Sequence, residues 1–66
     1  MQMLQLYIFL KIEESKKLIS QNKYTYTEIA YMLGFNSVHY FSRLFKAHTQ
    51  MTPSEYSKSI KADNLL

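Results

Sequence analysis

The chain contains one glycine in 66 residues, Gly34, and it falls between two segments that both carry helical signals. Glycine enters the left-handed backbone region without the steric cost a Cβ imposes, so a lone glycine closing an apolar-periodic run marks a helix end and a sharp change of direction. Upstream, Thr25 and Glu28 have the spacing of a capping box, and Tyr24 is placed to staple onto Ile29. These signals predict a short helix from Tyr26 to about Leu33. Downstream, Asn36 or Ser37 caps a further helix that reaches about His48 without Gly, Pro or acid.

Two more helices flank this pair. Leu4, Ile8, Ile12, Ser15 and Ile19 gather on one face at 100° per residue, while Lys11, Glu13, Lys16 and Lys17 fall elsewhere, so residues 4–20 read as one amphipathic helix. Phe9 and Leu10 lie off that stripe, which leaves an apolar surface with no partner assigned to it. At the other end Thr52 is the N-cap, Pro53 takes the first helical position, Glu55 closes a second capping box and Met51 is placed to staple Tyr56. The closing helix spans about residues 53–62, with fraying expected from Asp63 to Leu66. The fold class expected is all-α: one small domain over 1–66, of about four helices, with 25–48 arranged as a helix-turn-helix of homeodomain-like type.

In that arrangement the turn at Gly34 sets the two helices at about 90 to 120°, and small Ala30, four residues earlier, lets them approach closely. Ala-x-x-x-Gly by itself ends many ordinary helices, so its neighbours decide the matter. The stripes that face one another name the expected core: Ile12, Ile19, Ile29, Ala30, Leu33, Phe35, Phe41, Leu44, Phe45 and Tyr56. His48 belongs with Phe41, Leu44 and Phe45 as a core-edge residue. The opposite sector of the same helix holds Val38, His39, Ser42, Arg43 and Lys46, free to bind.

Charge sharpens what that free sector meets. The net charge is +3, and between Glu28 and Glu55 there is no acidic residue, so a polyanion approaches His39, Arg43 and Lys46 without repulsion. The absence of cysteine removes disulfides and thiolate metal sites and suits a reducing cytoplasm. His39 and His48 are nine apart with no carboxylate or cysteine beside them, so no metal site is expected. No nucleophile, base and orienting acid assemble, and no glycine-rich phosphate loop exists; neither an enzyme nor a cofactor is expected. The apolar opening, residues 1–10, lacks a basic lead and a cleavage site, and Lys11 ends it short of the roughly 20 residues a membrane span needs.

Thr27-Glu28-Ile29-Ala30, Gly34-Phe35-Asn36-Ser37, Tyr40-Phe41-Ser42-Arg43-Leu44-Phe45-Lys46 and Met51-Thr52-Pro53-Ser54-Glu55-Tyr56 together resemble the C-terminal signature of the AraC/XylS family of bacterial transcription regulators. The resemblance runs from about Lys11 to Ser57. Within it Lys11-Ile12 to Leu18-Ile19 is similar to that family's linker helix, with another basic residue and an alanine commoner where Lys11 and Ser15 stand, and Gln50 occupies the place of a usual glycine. Such proteins generally carry two helix-turn-helix units, one on each side of the linker helix. The resemblance implies that this chain holds the second, as a piece of a longer regulator.

It further implies regulation of transcription by binding double-stranded promoter DNA, with residues 37–48 as recognition helix in the major groove. Val38, His39 and Ser42 are then the base-reading candidates: Val38 against a thymine methyl, His39 as a donor to guanine or phosphate, Ser42 as either. Ser37, Arg43 and Lys46 are the candidates for phosphate contact, Ser37 at the helix N-terminus where the dipole favours anions. Arg43 has a plainer role open to it, pairing with Glu28 or Glu55 on a solvated surface. RNA polymerase, the first helix-turn-helix unit and an effector domain are the further partners implied. A reading of another class stands beside this one: a protein-interaction or antagonist module that self-associates, or binds a full-length regulator, through the apolar N-terminal helix.

Overall fold

The computed structural model describes the backbone of residues 2–65 and the side chains of residues 6–61. Four helices follow one another: α1 (Gln2–Gln21), α2 (Tyr26–Met32), α3 (Val38–Thr49) and α4 (Pro53–Leu65), with no strand among the described residues. α1 packs against each of the other three, and α3 packs against both α2 and α4. α4 continues past the expected end at residue 62 because nothing after Pro53 is a helix breaker; Leu66 lies outside the described residues. Leu4, expected on the core face of α1, lies outside the described side chains. No helix among the described residues is long and apolar enough to cross a membrane.

The helix starts are built by their local chemistry. Thr25 Oγ1 accepts from the Glu28 amide at 3.1 Å while the Thr25 amide donates to Glu28 Oε1 at 2.8 Å, which satisfies two amides that α2 leaves unpaired. The same exchange joins Thr52 and Glu55 at 2.9 and 3.1 Å at the head of α4. Of the two residues proposed to cap α3, Ser37 does so: its hydroxyl accepts from the Tyr40 amide at 3.1 Å.

At the core, Ile12, Ile19, Ile29, Ala30, Phe35, Phe41 and Phe45 are buried as expected, and Leu18 joins them. Leu33, Leu44 and Tyr56 are half-buried and pack on its margin, less enclosed than expected. Ser15 is fully buried, its hydroxyl donating to the Ile12 carbonyl at 2.6 Å, so the small side chain permits close packing and leaves no polar atom unpaired. A chain of aromatic contacts runs through the centre: Phe35 to Phe41 at 5.4 Å, Phe41 to Phe45 at 5.8 Å, and Phe45 to Tyr56 at 5.6 Å between ring centroids. These rings tie α3 to the turn before it and to the helix after it.

Candidate nucleic-acid interface

Everything that orients α3 begins at the turn. Gly34 has φ 87°, the left-handed conformation expected of it. The Gly34 amide donates to the Tyr31 carbonyl at 3.0 Å and the Phe35 amide to the Ala30 carbonyl at 2.9 Å, the paired bonds of a Schellman motif. Phe35 is thereby turned into the core, and the chain leaves through Asn36 and Ser37 into α3.

The outer side of α3 presents His39, Arg43 and Lys46, all exposed, with half-buried Ser42 on the flank. These positions follow one helical stripe, three or four residues apart, on the side opposite Phe41 and Phe45. Ser37 is half-buried at the helix head. Its oxygen is occupied by the Tyr40 amide, but the hydroxyl proton remains free to donate. The ion pair among the described residues is Lys16 with Glu13 at 2.9 Å, on α1, so Arg43 pairs with neither Glu28 nor Glu55 there.

Two expected placements need correction. Val38 is half-buried and packs against the core instead of standing on the free sector. It lies three residues before Phe41, one turn away on the same face, and helical geometry draws it inward. His48, expected at the core edge, is exposed. It shares the angular sector of Phe41 and Phe45, but at the end of α3 its neighbour is Phe9, with ring centroids 6.5 Å apart, and Phe9 is itself exposed.

Lys11 is the residue that reading by stripes missed. It is half-buried, donates to the Leu33 carbonyl at the end of α2, and holds its ammonium 4.7 Å from the Tyr7 ring centroid and 5.9 Å from that of Phe35. The signal for such a contact, spanning 22 positions, is absent from any local pattern. Tyr40 is exposed with its ring edge against Phe35 at 6.1 Å. Glu55 carries a carboxyl held below its ordinary value, first by the Thr52 amide hydrogen bond and further by the positive charge of Lys46 and Lys58.

A family model described as a helix-turn-helix domain matches residues 1–59. The chain belongs to the AraC-type helix-turn-helix family. Members of this family are DNA-binding transcription regulators. The HTH-type transcriptional regulator in the cgkA 5' region of Pseudoalteromonas carrageenovora is 36% identical over 55 residues, covering 83% of this chain and 32% of that protein. The TCP pilus virulence regulatory protein of Vibrio cholerae is 40% identical over 47 residues, covering 71% of this chain and 17% of the relative. Histidine kinase P4 of Formosa agariphila is 34% identical over 47 residues, covering 71% of this chain and 3% of its own length. The chain thus spans a third or less of these relatives. No solved structure matches it.

Proposed function

We propose that the chain is the second helix-turn-helix unit of an AraC/XylS-type transcription regulator and that α3 enters the major groove of double-stranded promoter DNA. The observation that carries this reading is the outer stripe of α3, where exposed His39, Arg43 and Lys46 stand together on a helix that contains no acid. His39 and Ser42 read base edges, joined by the part of Val38 that the core leaves uncovered. Arg43, Lys46 and the Ser37 hydroxyl clamp phosphates and set the register. Work in the bacterial cytoplasm beside a first helix-turn-helix unit, an effector domain and RNA polymerase belongs to the same reading.

Such an interface neutralises few phosphates, so affinity is expected to be weak, with a slope near −3 in log K against log salt for about three or four contacts. Arg43→Ala should weaken binding to all sequences alike and flatten the slope by about one; His39→Ala should relax preference at one base position, by about 1 to 3 kcal/mol. Titration of a labelled promoter fragment against a scrambled one, at two salt concentrations, measures both. Equal, salt-insensitive binding by the wild type and Arg43→Ala would remove α3 as the recognition helix.

A second reading rests on a different surface. Leu6, Tyr7, Phe9 and Leu10 of α1 are all exposed, so residues 6–10 of that helix are apolar on the outer side as well as the inner one. A helix apolar all round is ordinarily covered. In this reading the chain self-associates or binds a full-length regulator as an antagonist, and sedimentation that depends on concentration, without DNA affinity, distinguishes it from the first.

A further inference from the structure

Among the described side chains of α1, Lys11 is the one that reaches the turn of the helix-turn-helix by a hydrogen bond. Its ammonium donates to the Leu33 carbonyl, one of the acceptors that the end of α2 leaves without a helical partner. The positive charge also stands at the negative end of the α2 dipole. Around it, Tyr7 of α1, Gly34 and Asn36 of the turn, and Tyr40 of α3 line one shallow cleft, so three elements meet at a single charged group. A Cβ at position 34 would stand 3.3 Å from the Lys11 nitrogen, so the glycine both takes the left-handed angle and makes room for the lysine.

We infer that Lys11 is a positioning residue for DNA recognition: it locks the angle at which α3 leaves the turn relative to α1, and so couples the linker helix to base reading. The inference rests on the proposal that α3 reads DNA. Lys11 is half-buried, and its ammonium is engaged by the Leu33 carbonyl and the Tyr7 and Phe35 rings, so its effect reaches DNA through the turn. Without the ammonium, the Leu33 carbonyl loses its partner, and the turn is held by the Schellman bonds and the packing of Phe35 on Phe41. The core of Ile12, Ile29, Phe41 and Phe45 does not depend on that contact. Base reading requires closer placement than phosphate contact does, so a looser turn costs specificity before it costs general affinity.

The test uses the whole chain and a DNA site enriched by the wild type from a random pool, with a scrambled version as competitor. Lys11→Met should keep its cooperative melting and its affinity for the scrambled DNA while its preference for the enriched site falls by about tenfold. Lys11→Arg keeps the charge and the donors and should restore most of that preference. Amide exchange in the absence of DNA gives a second readout: Gly34 and Phe35 should lose protection in Lys11→Met while Phe45 keeps its own. Unchanged preference and unchanged exchange at the turn overturn the inference, as does a loss of both affinities in proportion to lost stability, which marks a merely structural residue. Failure of the wild type to enrich any site would overturn the DNA reading itself and is thus distinct from failure of the Lys11 variants.

Discussion

α3 is entered through one left-handed residue and left through another, and the two are not equivalent. Gly34 has φ 87° and Gln50 has φ 69°. At the first turn a Cβ would crowd the Lys11 nitrogen at 3.3 Å, and the angle set there aims α3. At the second, Gln50 is exposed, its amide donates to the Lys46 carbonyl at 2.8 Å, and its Cβ bears the left-handed strain in solvent. Thr49 compensates in part: its hydroxyl donates to the Phe45 carbonyl at 2.8 Å and accepts from the Met51 amide at 3.2 Å. The same backbone device is obligatory where the turn touches another element and negotiable where it faces water.

The largest effect should come from removing the side chains that both turns hold. Phe41 meets Phe35 on the first side and Phe45 meets Tyr56 on the second, and both phenylalanines are fully buried. Phe41→Ala or Phe45→Ala should cost about 3 to 5 kcal/mol, enough to unfold so small a domain. Loss of the cooperative melting transition by circular dichroism is the expected result, and wild-type melting in either variant would show that the rings do not anchor α3.

Next in size is the first turn. Gly34→Val forces a β-branched residue to a positive φ and drives its Cβ against Lys11, at a cost of about 3 kcal/mol. Such a variant should lose DNA binding along with most of its helical signal. Melting within a few degrees of the wild type would mean that the turn adopts another geometry and that Gly34 is not required by it.

The two turns also differ in how well the sequence announced them. Gly34 is legible because only glycine is free at that angle, and Thr25, Ser37, Thr52 and Pro53 are legible because capping is decided within four residues. The inward rows of α1 and α3 follow from helical spacing, which is why Ile12, Phe41 and Phe45 could be assigned to the core. Gln50 stands where a glycine is usual in the family, and a residue with a Cβ does not announce a left-handed angle. Lys11 was grouped with the solvated face of α1, since no local rule reveals a partner on another helix. Val38 lies within the stripe of Phe41 and Phe45 when helical spacing is counted strictly, whereas His48 shows the limit of stripes at a helix end, left out where its neighbour Phe9 is itself uncovered. The outer stripe of His39, Arg43 and Lys46 was readable from spacing alone, whereas the DNA it meets was suggested by the family resemblance.

If the second turn is negotiable, it should be improvable. Gln50→Gly removes the Cβ from a left-handed site whose amide bond to Lys46 stays intact, and should stabilise the fold by about 1 kcal/mol, raising the melting temperature by roughly 4 to 8 °C. DNA affinity should not change, because α3 keeps its aim from the first turn. A lower melting temperature would show that the glutamine side chain contributes more than its strain removes, and would erase the proposed contrast between the turns.

The smallest expected effect comes from the capping box that follows the second turn. Glu55 has its carboxyl held below the ordinary value of 4.5 by the Thr52 amide, with Lys46 and Lys58 adding to it. A carboxyl lowered in the folded state contributes stability that is complete above its ordinary value and disappears as the pH falls through that value to the lowered one. Glu55→Gln keeps a side-chain oxygen for the Thr52 amide but removes the charge. At pH 7 the wild type should therefore melt slightly above Glu55→Gln, and the gap should close on acidification below the ordinary carboxylate range. Because the other carboxylates titrate in both proteins, the difference isolates Glu55. The group is fully exposed, so salt should shrink the part due to Lys46 and Lys58 and leave the part due to the amide. A gap that widens as the pH falls has the wrong sign for a lowered carboxyl, and would place the stabilising contact of this capping box in its neutral form.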